Sequence, residues 1–398
     1  MKDFLKKIIP DFLLSWYHLG WVLLGAIIYR FPSRKLKVIG VTGTNGKSTV
    51  VFFISQILEE AGYSVAALSS IQFKIKDKIW SNTLKMTMPG RMKIQKFLRQ
   101  ALRAGCQYAV LEVTSEGIKQ HRHEFIGFDS AVLTNLTAEH LESHGGFANY
   151  KKAKGKLFQS LKANGKSIIN LDDLQADYFR QFPAKEKIGY TTNSKIEFNL
   201  NLLGQFNISN ALAARAVAQV EGISLAKIKT ALEKIKSIPG RLEIVIKEPF
   251  TVIVDYAHTP DALEKVYQTA REVSQGQLIG VLGAAGGGRD KWKRPALGKI
   301  AEQYLDKIII TNEDPYDEDP SQILSEIKSG ISNYQFPISN LYEILERRKA
   351  ISKAIKLARP DDVVIITGKG CEPWMCLAKG RKIPWDDRKI VREEFKRL

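Results

Sequence analysis

The sequence predicts an α/β chain: a central P-loop domain and a smaller Rossmann-like C-terminal domain, preceded by an apolar N-terminal helix. Three observations predict it. A glycine-rich turn joins an apolar run to an amphipathic segment over 36–61. Short apolar runs alternate with helical patterns over 251–366, as in a parallel sheet with crossover helices. The stretch from Phe12 to Tyr29 is largely apolar.

That first stretch reads FLLSWYHLGWVLLGAIIY, with Lys2, Lys6 and Lys7 before it and Arg30, Arg34, Lys35 and Lys37 after it. A spanning helix needs about 20 apolar residues, and this run contains Ser15, His18 and two glycines. No small-x-small cleavage site follows, which argues against a secretory signal. Basic flanks on both sides set no orientation. Trp16, Tyr17, Trp21 and Tyr29 suit a membrane interface. Three readings stay open: a helix lying on a membrane, a helix packed on the next domain, and a span. The expectation is a membrane-surface contact through residues 1–33, with a linker at Phe31-Pro32-Ser33.

Leu36–Val41 (LKVIGV) reads as a strand leading into Thr42-Gly43-Thr44-Asn45-Gly46-Lys47-Ser48-Thr49, and Val50 to Ala61 reads as a helix stopped by Gly62. Strand, glycine turn and helix are what a phosphate loop requires. The glycines let backbone N–H groups approach phosphate oxygens, and the helix N-terminus adds partial positive charge. Lys47 would then sit on the β/γ-phosphates and Ser48 would ligate Mg²⁺. The spacing departs from the common pattern, which puts Gly where Val41 stands; here Gly40 comes one place early.

Further along, Tyr108–Val113 reads as a buried strand with Glu112 at its carboxyl end, where ligands of open α/β sheets gather. Glu112 can hold Mg²⁺ there or be a solvated strand-end carboxylate. Ser130–Leu133 is another strand, and the polar loop after it carries His140, a metal-ligand candidate or a surface histidine. By pattern alone the lysines of 150–158 form a solvated basic helix face. In the last part, strands are expected over 251–255, 277–282, 307–311 and 362–366, and helices over 260–273, 294–304, 320–329 and 345–358. The expected divisions are 1–36, 37–238 and 239–398.

Composition narrows the partners. Of 398 residues, 60 are Lys or Arg and 42 Asp or Glu, a net charge of +18, while 44% are hydrophobic. That apolar fraction excludes disorder throughout. Three cysteines, Cys106, Cys371 and Cys376, exclude a disulfide framework and zinc-finger spacing, so a reducing cytoplasm is the default. The basic balance calls for nucleic acid, a membrane surface or a phosphate-rich substrate. With no polybasic block, no nucleic-acid partner is expected.

Taken together these stretches resemble the Mur ligase family, nearest its UDP-N-acetylmuramoyl-tripeptide synthetases, over roughly nine-tenths of the chain. The likeness rests on ordered strings: TGTNGKST at 42–49, LEVTSEG at 111–117, TNLTAEHLESHG at 134–145, YKKAK at 150–154 and GQFNISNALAA at 204–214. It continues in PGRLE at 239–243, DYAHTPDALE at 255–264, GGRDKWKRP at 287–295, EDP at 313–315 and GKGCEPW at 368–374. The resemblance implies ATP-dependent amide formation through an acyl phosphate, on a muramoyl-peptide precursor of peptidoglycan.

It also implies site roles. Gly43, Thr44, Asn45, Gly46, Lys47, Ser48 and Thr49 would bind the nucleotide phosphates. Ser48 and Glu112 would hold one Mg²⁺, with His140 and a carbamylated Lys154 helping at a second. Lys47, Glu112, His140 and Lys154 would be catalytic. Asn207, Asn210, Arg241, Asp255, Tyr256 and His258 would lie along the nucleotide. Thr114, Ser115, Arg289, Asp314, Pro315, Gly368 and Glu372 would face substrate. A cytoplasmic monomer, held at the inner membrane face by its N-terminal helix, is the expected context.

Departures from the family pattern matter. Only about 35 residues precede the phosphate loop, too few for the domain that usually grips the uridine nucleotide, so a lipid-linked acceptor is an open reading. The family's diaminopimelate enzymes read D-N-P-R where this chain has Glu313-Asp314-Pro315-Tyr316. Arg there would clamp a carboxylate, and Tyr cannot replace that charge. Glu372 would suit a diamine such as lysine. Glu116, Gly288 and Cys371 replace a common His, Asp and His. Rival readings are a folylpolyglutamate- or cyanophycin-synthetase-like ligase, a nucleic-acid-stimulated ATPase, and a non-catalytic membrane-associated nucleotide-binding protein.

Overall fold

The computed structural model describes residues 10–84, 86–332 and 337–398. The chain divides into two compact units. The first comprises Met1–Ala138, Gly145–Leu200 and Asn207–Lys234; the second comprises Glu139–His144, Asn201–Phe206 and Ile235–Leu398. Lys2, Lys6 and Lys7, the basic residues expected ahead of the first helix, lie outside the described residues.

In the first unit the strands are β1 Lys37–Thr42, β2 Val65–Leu68, β3 Gln72–Ile75, β4 Lys78–Ser81, β5 Tyr108–Glu112, β6 Phe128–Leu133, β7 Leu161–Asn170 and β8 Glu186–Tyr190. They form one sheet in the order β4-β3-β2-β5-β1-β6-β7-β8. All neighbours are parallel except the β2–β3–β4 edge, which is antiparallel. β5 is buried along its whole length, and β1 from Val38 onward, as central parallel strands must be when helices cover both faces. The helices used below are α1 Asp11–Ile28, α2 Lys47–Glu60, α3 Lys93–Arg103, α4 Phe147–Gln159, α5 Gln205–Val220 and α6 Leu225–Glu233. α2 begins at Lys47 rather than at Val50, because Gly46, with φ 79°, already turns the chain into its first helical residue.

α1 follows Pro10 and ends where Arg30 and Phe31 take left-handed backbone angles. One face packs on the unit: Val22, Gly25 and Ala26 are buried. A Cβ on Gly25 would come 2.9 Å from Met92 Cβ, so only glycine allows this approach to the start of α3. Ser15 Oγ and His121 Nε2 are 2.7 Å apart, and the Arg91 guanidinium lies 5.7 Å from the Trp21 ring centre. The opposite face, including Phe12, Trp16, Leu24 and Ile28, is exposed. Among the described residues no helix is long and apolar enough to cross a membrane, so the spanning reading of 12–29 is set aside.

The second unit holds β9 Glu243–Ile246, β10 Thr251–Val254, β11 Leu278–Leu282, β12 Lys307–Thr311, β13 Leu341–Ile344 and β14 Val363–Ile366, in the order β13-β12-β11-β14-β10-β9. Only β9 pairs antiparallel in this sheet. A hairpin of β15 Trp374–Cys376 and β16 Lys382–Pro384 stands apart from it. Helices α7 Pro260–Val273, α8 Lys293–Tyr304 and α9 Pro320–Lys328 cover one face, through Leu263, Leu297 and Ile323. Helices α10 Arg347–Leu357 and α11 Asp387–Phe395 cover the other, through Ile351, Ile355 and Val391. The four expected strands form with ends shifted by at most one residue. The helix expected from 345 starts at Arg347, because Glu346 is extended.

Arg347 and Asp387 form a fully buried bidentate pair that ties α11 to α10, with donor–acceptor distances of 3.0 and 2.7 Å. The same guanidinium donates to Thr367 O, and the Trp385 indole donates to Asp387 Oδ1.

Candidate functional site

In the first unit the loop after β1 is held from several sides. Thr44 N donates to Asn135 O, and Asn45 N donates to Asn135 Oδ1 at 2.9 Å. Thr134 Oγ1 donates to Asn45 O at 2.6 Å. The Thr44 hydroxyl donates to Thr137 O and lies 3.1 Å from the Tyr150 hydroxyl. Two glycines make these contacts feasible. A Cβ on Gly43 would sit 1.9 Å from Thr134 Oγ1, and one on Gly46 would sit 2.2 Å from Asn210 Oδ1. Both have positive φ, which L side chains rarely adopt. The loop is therefore a fixed cradle rather than a slack turn.

Lys47 and Ser48 open α2, so their backbone lies at the positive end of that helix. Lys47 Nζ donates to Thr44 O at 2.7 Å and lies 4.0 Å from Glu112 Oε1. Ser48 Oγ donates to Glu112 Oε2 at 2.7 Å, and Ser70 N donates to that same oxygen at 2.9 Å. Glu112 is buried, so it is not a solvated strand-end carboxylate. Ser48 and Glu112 are hard oxygen donors side by side, and they fit Mg²⁺, which characteristically takes one or two protein oxygens and completes its shell with phosphate and water. Among the described residues no group of three or more His, Cys, Asp and Glu is placed to hold a metal.

Lys154 corrects the pattern-only reading of its helix. Lys152 and Lys156 of α4 are exposed, but Lys154 is only 1% exposed. Its ammonium donates to Gly43 O at 2.6 Å and lies 4.6 Å from the Tyr150 ring centre. One helix thus carries two exposed lysines, a half-buried Lys151 that donates to Gln175 Oε1, and one lysine aimed at the phosphate loop. Asn207 and Asn210 are both buried at the start of α5, with Asn210 Nδ2 3.3 Å from Asn207 Oδ1. Thr49 is buried in the first turn of α2. Thr114 caps the short helix Ser115–Lys119 by accepting from Gly117 N, and Ser115 is buried.

In the second unit four loops leave the carboxyl ends of β10, β11, β12 and β14 and meet. Gly240 approaches Gly370 and Cys371 so closely that a Cβ would come 2.3 Å from Cys371 N. A Cβ on Gly286 would come 2.3 Å from Pro315 O, and one on Gly368 would come 2.3 Å from Glu313 Oε2. Asp255 is buried and accepts from Leu242 N at 2.7 Å and Ala257 N at 2.6 Å. Burial pushes its carboxyl up, opposed by Arg241. The Arg241 guanidinium lies 4.4 Å from the Tyr256 ring centre. His258 Nδ1 is 2.9 Å from Tyr256 O, and burial together with the Lys293 charge holds its imidazole well below the usual histidine range.

Sequence reading passed over Lys369. Its fully buried ammonium donates to Asp314 Oδ1 at 2.8 Å, Glu372 Oε2 at 2.9 Å and Trp374 O at 2.7 Å. Two of the expected substrate carboxylates are therefore pinned by one internal cation. Its signal was present in GKGCE, where the lysine stands between two glycines. Burial raises the Cys371 thiol, in keeping with an unreactive side chain.

His140 lies in Glu139–His144, which belongs to the second unit. There Asp290 accepts from Leu141 N and Glu142 N, each at 3.2 Å, and Lys291 N donates to Glu142 Oε1. Glu139 and Lys293 are both buried and pair at 3.6 Å. Arg289, in the same loop as Asp290, is exposed.

Residues 41–196 match the Mur ligase middle domain, and residues 240–370 match the Mur ligase glutamate ligase domain. A UDP-N-acetylmuramoyl-L-alanyl-D-glutamate--2,6-diaminopimelate ligase of Clostridium acetobutylicum is 38% identical over 406 residues, covering 94% of this chain and 81% of that one. A UDP-N-acetylmuramyl-tripeptide synthetase of Roseiflexus sp. is 35% identical over 416 residues, with the same two coverages of 94% and 81%. A solved diaminopimelate ligase of the same name superposes with a TM-score of 0.60 at 31% identity, over 91% of this chain and 78% of that one. Folylpolyglutamate synthase of Mycobacterium tuberculosis shares the fold, with a TM-score of 0.70 at 18% identity over 88% and 92% of the two chains.

Proposed function

This chain belongs to the Mur ligase family, and on that basis we propose that it uses ATP to join an amino acid to a muramoyl-peptide acceptor of peptidoglycan synthesis. One observation carries the reading: Lys47, Ser48 and Glu112 converge on a rigid phosphate loop whose Gly43 carbonyl is met by the buried Lys154.

In the first half-reaction an acceptor carboxylate oxygen bonds to the γ-phosphorus while the bond to ADP breaks. In the second, the amine of the incoming amino acid bonds to the acyl carbon, phosphate leaves, and the amine loses a proton. Both reactants of the first step are anions, so the site must lower charge repulsion without reorganising. Lys47 supplies a fixed ammonium, and the N-terminus of α2 supplies oriented N–H groups. Mg²⁺, held by Ser48 and Glu112, would supply Lewis-acid shielding, and a carbamylated Lys154 would add an oxygen donor beside the phosphate loop. Asn207, Asn210, Arg241, Asp255, Tyr256 and His258 orient the nucleotide. Thr114, Ser115 and Arg289 contact the acceptor, while Asp314, Pro315, Gly368 and Glu372 receive the amino acid.

A carbamylated Lys154 has a test of its own. Lys154→Ala should abolish ligation, and added short carboxylic acids should restore part of it by standing in for the lost oxygen donor. A variant that turns over at the wild-type rate would remove Lys154 from the site.

Tyr316 stands where an arginine would clamp a second carboxylate, so the amino-acid pocket favours an amino acid other than diaminopimelate, with Glu372 facing a side-chain amine. The protein acts as a monomer in the cytoplasm, with α1 lying on the inner membrane surface. Phosphate release is the test, measured with lysine, ornithine, diaminopimelate and glutamate, each with UDP-linked and lipid-linked acceptors. Release that requires both a muramoyl dipeptide and an amino acid, fastest with lysine or ornithine, is the expected result. Release driven instead by a folate and glutamate, or independent of any acceptor, would overturn the reading.

A further inference from the structure

The exposed side of α1 is a continuous apolar stripe. Phe12, Leu13, Trp16, Tyr17, Leu24 and Ile28 recur at helical spacing and point to solvent, with Trp16 69% exposed. Single exposed apolar residues are ordinary, but a contiguous face of this kind marks a docking surface. What covers it is indicated by the charge around it. No acidic residue occurs between Asp11 and Glu59, nor between Asp77 and Glu112. Those two acid-free stretches are brought together in the fold, because α3 packs against both α1 and the turn Pro32–Lys35.

The outward side chains of that assembly are cationic. Arg30, Arg34, Lys35, Arg91, Lys93 and Lys96 are all exposed. Arg91 reaches over the Trp21 ring at 5.7 Å, and Arg34 over the Phe31 ring at 4.5 Å, so two guanidinium groups sit directly beside aromatic rings. On the segment that His121 shares with its contact to α1, Glu116 acts on the Arg122 guanidinium and Glu124 lies 3.8 Å from His121. A protein partner with an apolar groove would satisfy the stripe but would gain nothing from so wide an acid-free rim. An anionic bilayer satisfies both, with apolar side chains at the acyl boundary and cations at the headgroups.

We propose that α1 and the basic surface of α3 together form a docking face for an anionic lipid bilayer, which they engage without crossing it. This rests on the membrane-surface reading of α1 given above and adds that binding is selected by lipid charge through α3 and the Pro32–Lys35 turn.

Flotation of the full chain with vesicles of phosphatidylcholine, alone or mixed with phosphatidylglycerol, tests it. Binding to the mixed vesicles should be strong at low salt and fall as ionic strength rises, with little binding to phosphatidylcholine alone. Each basic residue near the surface adds roughly a five-fold step in partitioning, so Lys35→Gln/Arg91→Gln/Lys93→Gln should weaken binding roughly a hundred-fold. Trp16→Ser/Tyr17→Ser should lose binding with the far-ultraviolet spectrum unchanged. Equal, salt-insensitive binding to both vesicles would overturn the charge selection and leave α1 as a membrane helix. Failure to bind either vesicle would overturn both readings, as would a dimer in solution that Trp16→Ser/Tyr17→Ser dissociates.

Discussion

Lys47→Met should lower the turnover number roughly 10²–10³-fold, the loss typical of removing one preorganised electrostatic contact from a transition state. The physical case is local. The ammonium is fixed by Thr44 O at 2.7 Å and faces Glu112 at 4.0 Å, so it does not have to be recruited when charge builds on the transferring phosphoryl group. Because that interaction grows as the reaction proceeds, kcat and kcat/KM should fall together while the apparent affinity for ATP changes little. Steady-state phosphate release at saturating substrates measures this. A rise in KM alone, with kcat intact, would make Lys47 a binding residue and sink the shielding argument.

Arg347→Met should be the most destabilising of single substitutions in the second unit, by about 3–5 kcal/mol in chemical denaturation. Methionine keeps much of the volume but leaves Asp387 buried and without its bidentate partner. Thr367 O loses its donor as well. The double variant Arg347→Met/Asp387→Leu should recover most of the loss, because replacing both charges removes the desolvation cost along with the attraction. A loss under about 1 kcal/mol in the single variant would mean that water reaches Asp387 once its partner is gone.

Much of the phosphate loop was legible in the sequence because its determinants are local. An apolar run, two glycines and Lys-Ser fix strand, turn and helix within 25 residues of chain. The strand–helix alternation of 251–366 was legible for the same reason in four strands built on apolar runs, whereas β13 was passed over because Glu343 interrupts LYEI. The β3–β4 edge was not, because QFKI and KIWS mix lysine with apolar residues and read as neither a buried strand nor a clean alternation. Lys154 shows the limit for sites. Its neighbours Lys152 and Lys156 obey the solvated-face rule, and nothing in periodicity separates it from them. Its ammonium is held by Gly43 O, far away in sequence. Lys369 was missed in the same way, since the carboxylates it bridges come from two different loops.

The strip Glu139–His144 interrupts the first unit in sequence yet packs within the second, where Asp290 takes up two of its backbone N–H groups. Cutting the gene at Ile235 would therefore not yield a self-sufficient half. The excised fragment would retain a buried aspartate stripped of both donors and a buried lysine without its glutamate. A chimera that grafts this C-terminal half onto a relative's N-terminal half inherits a foreign strip, and exchange should succeed only when 139–144 is transplanted along with it.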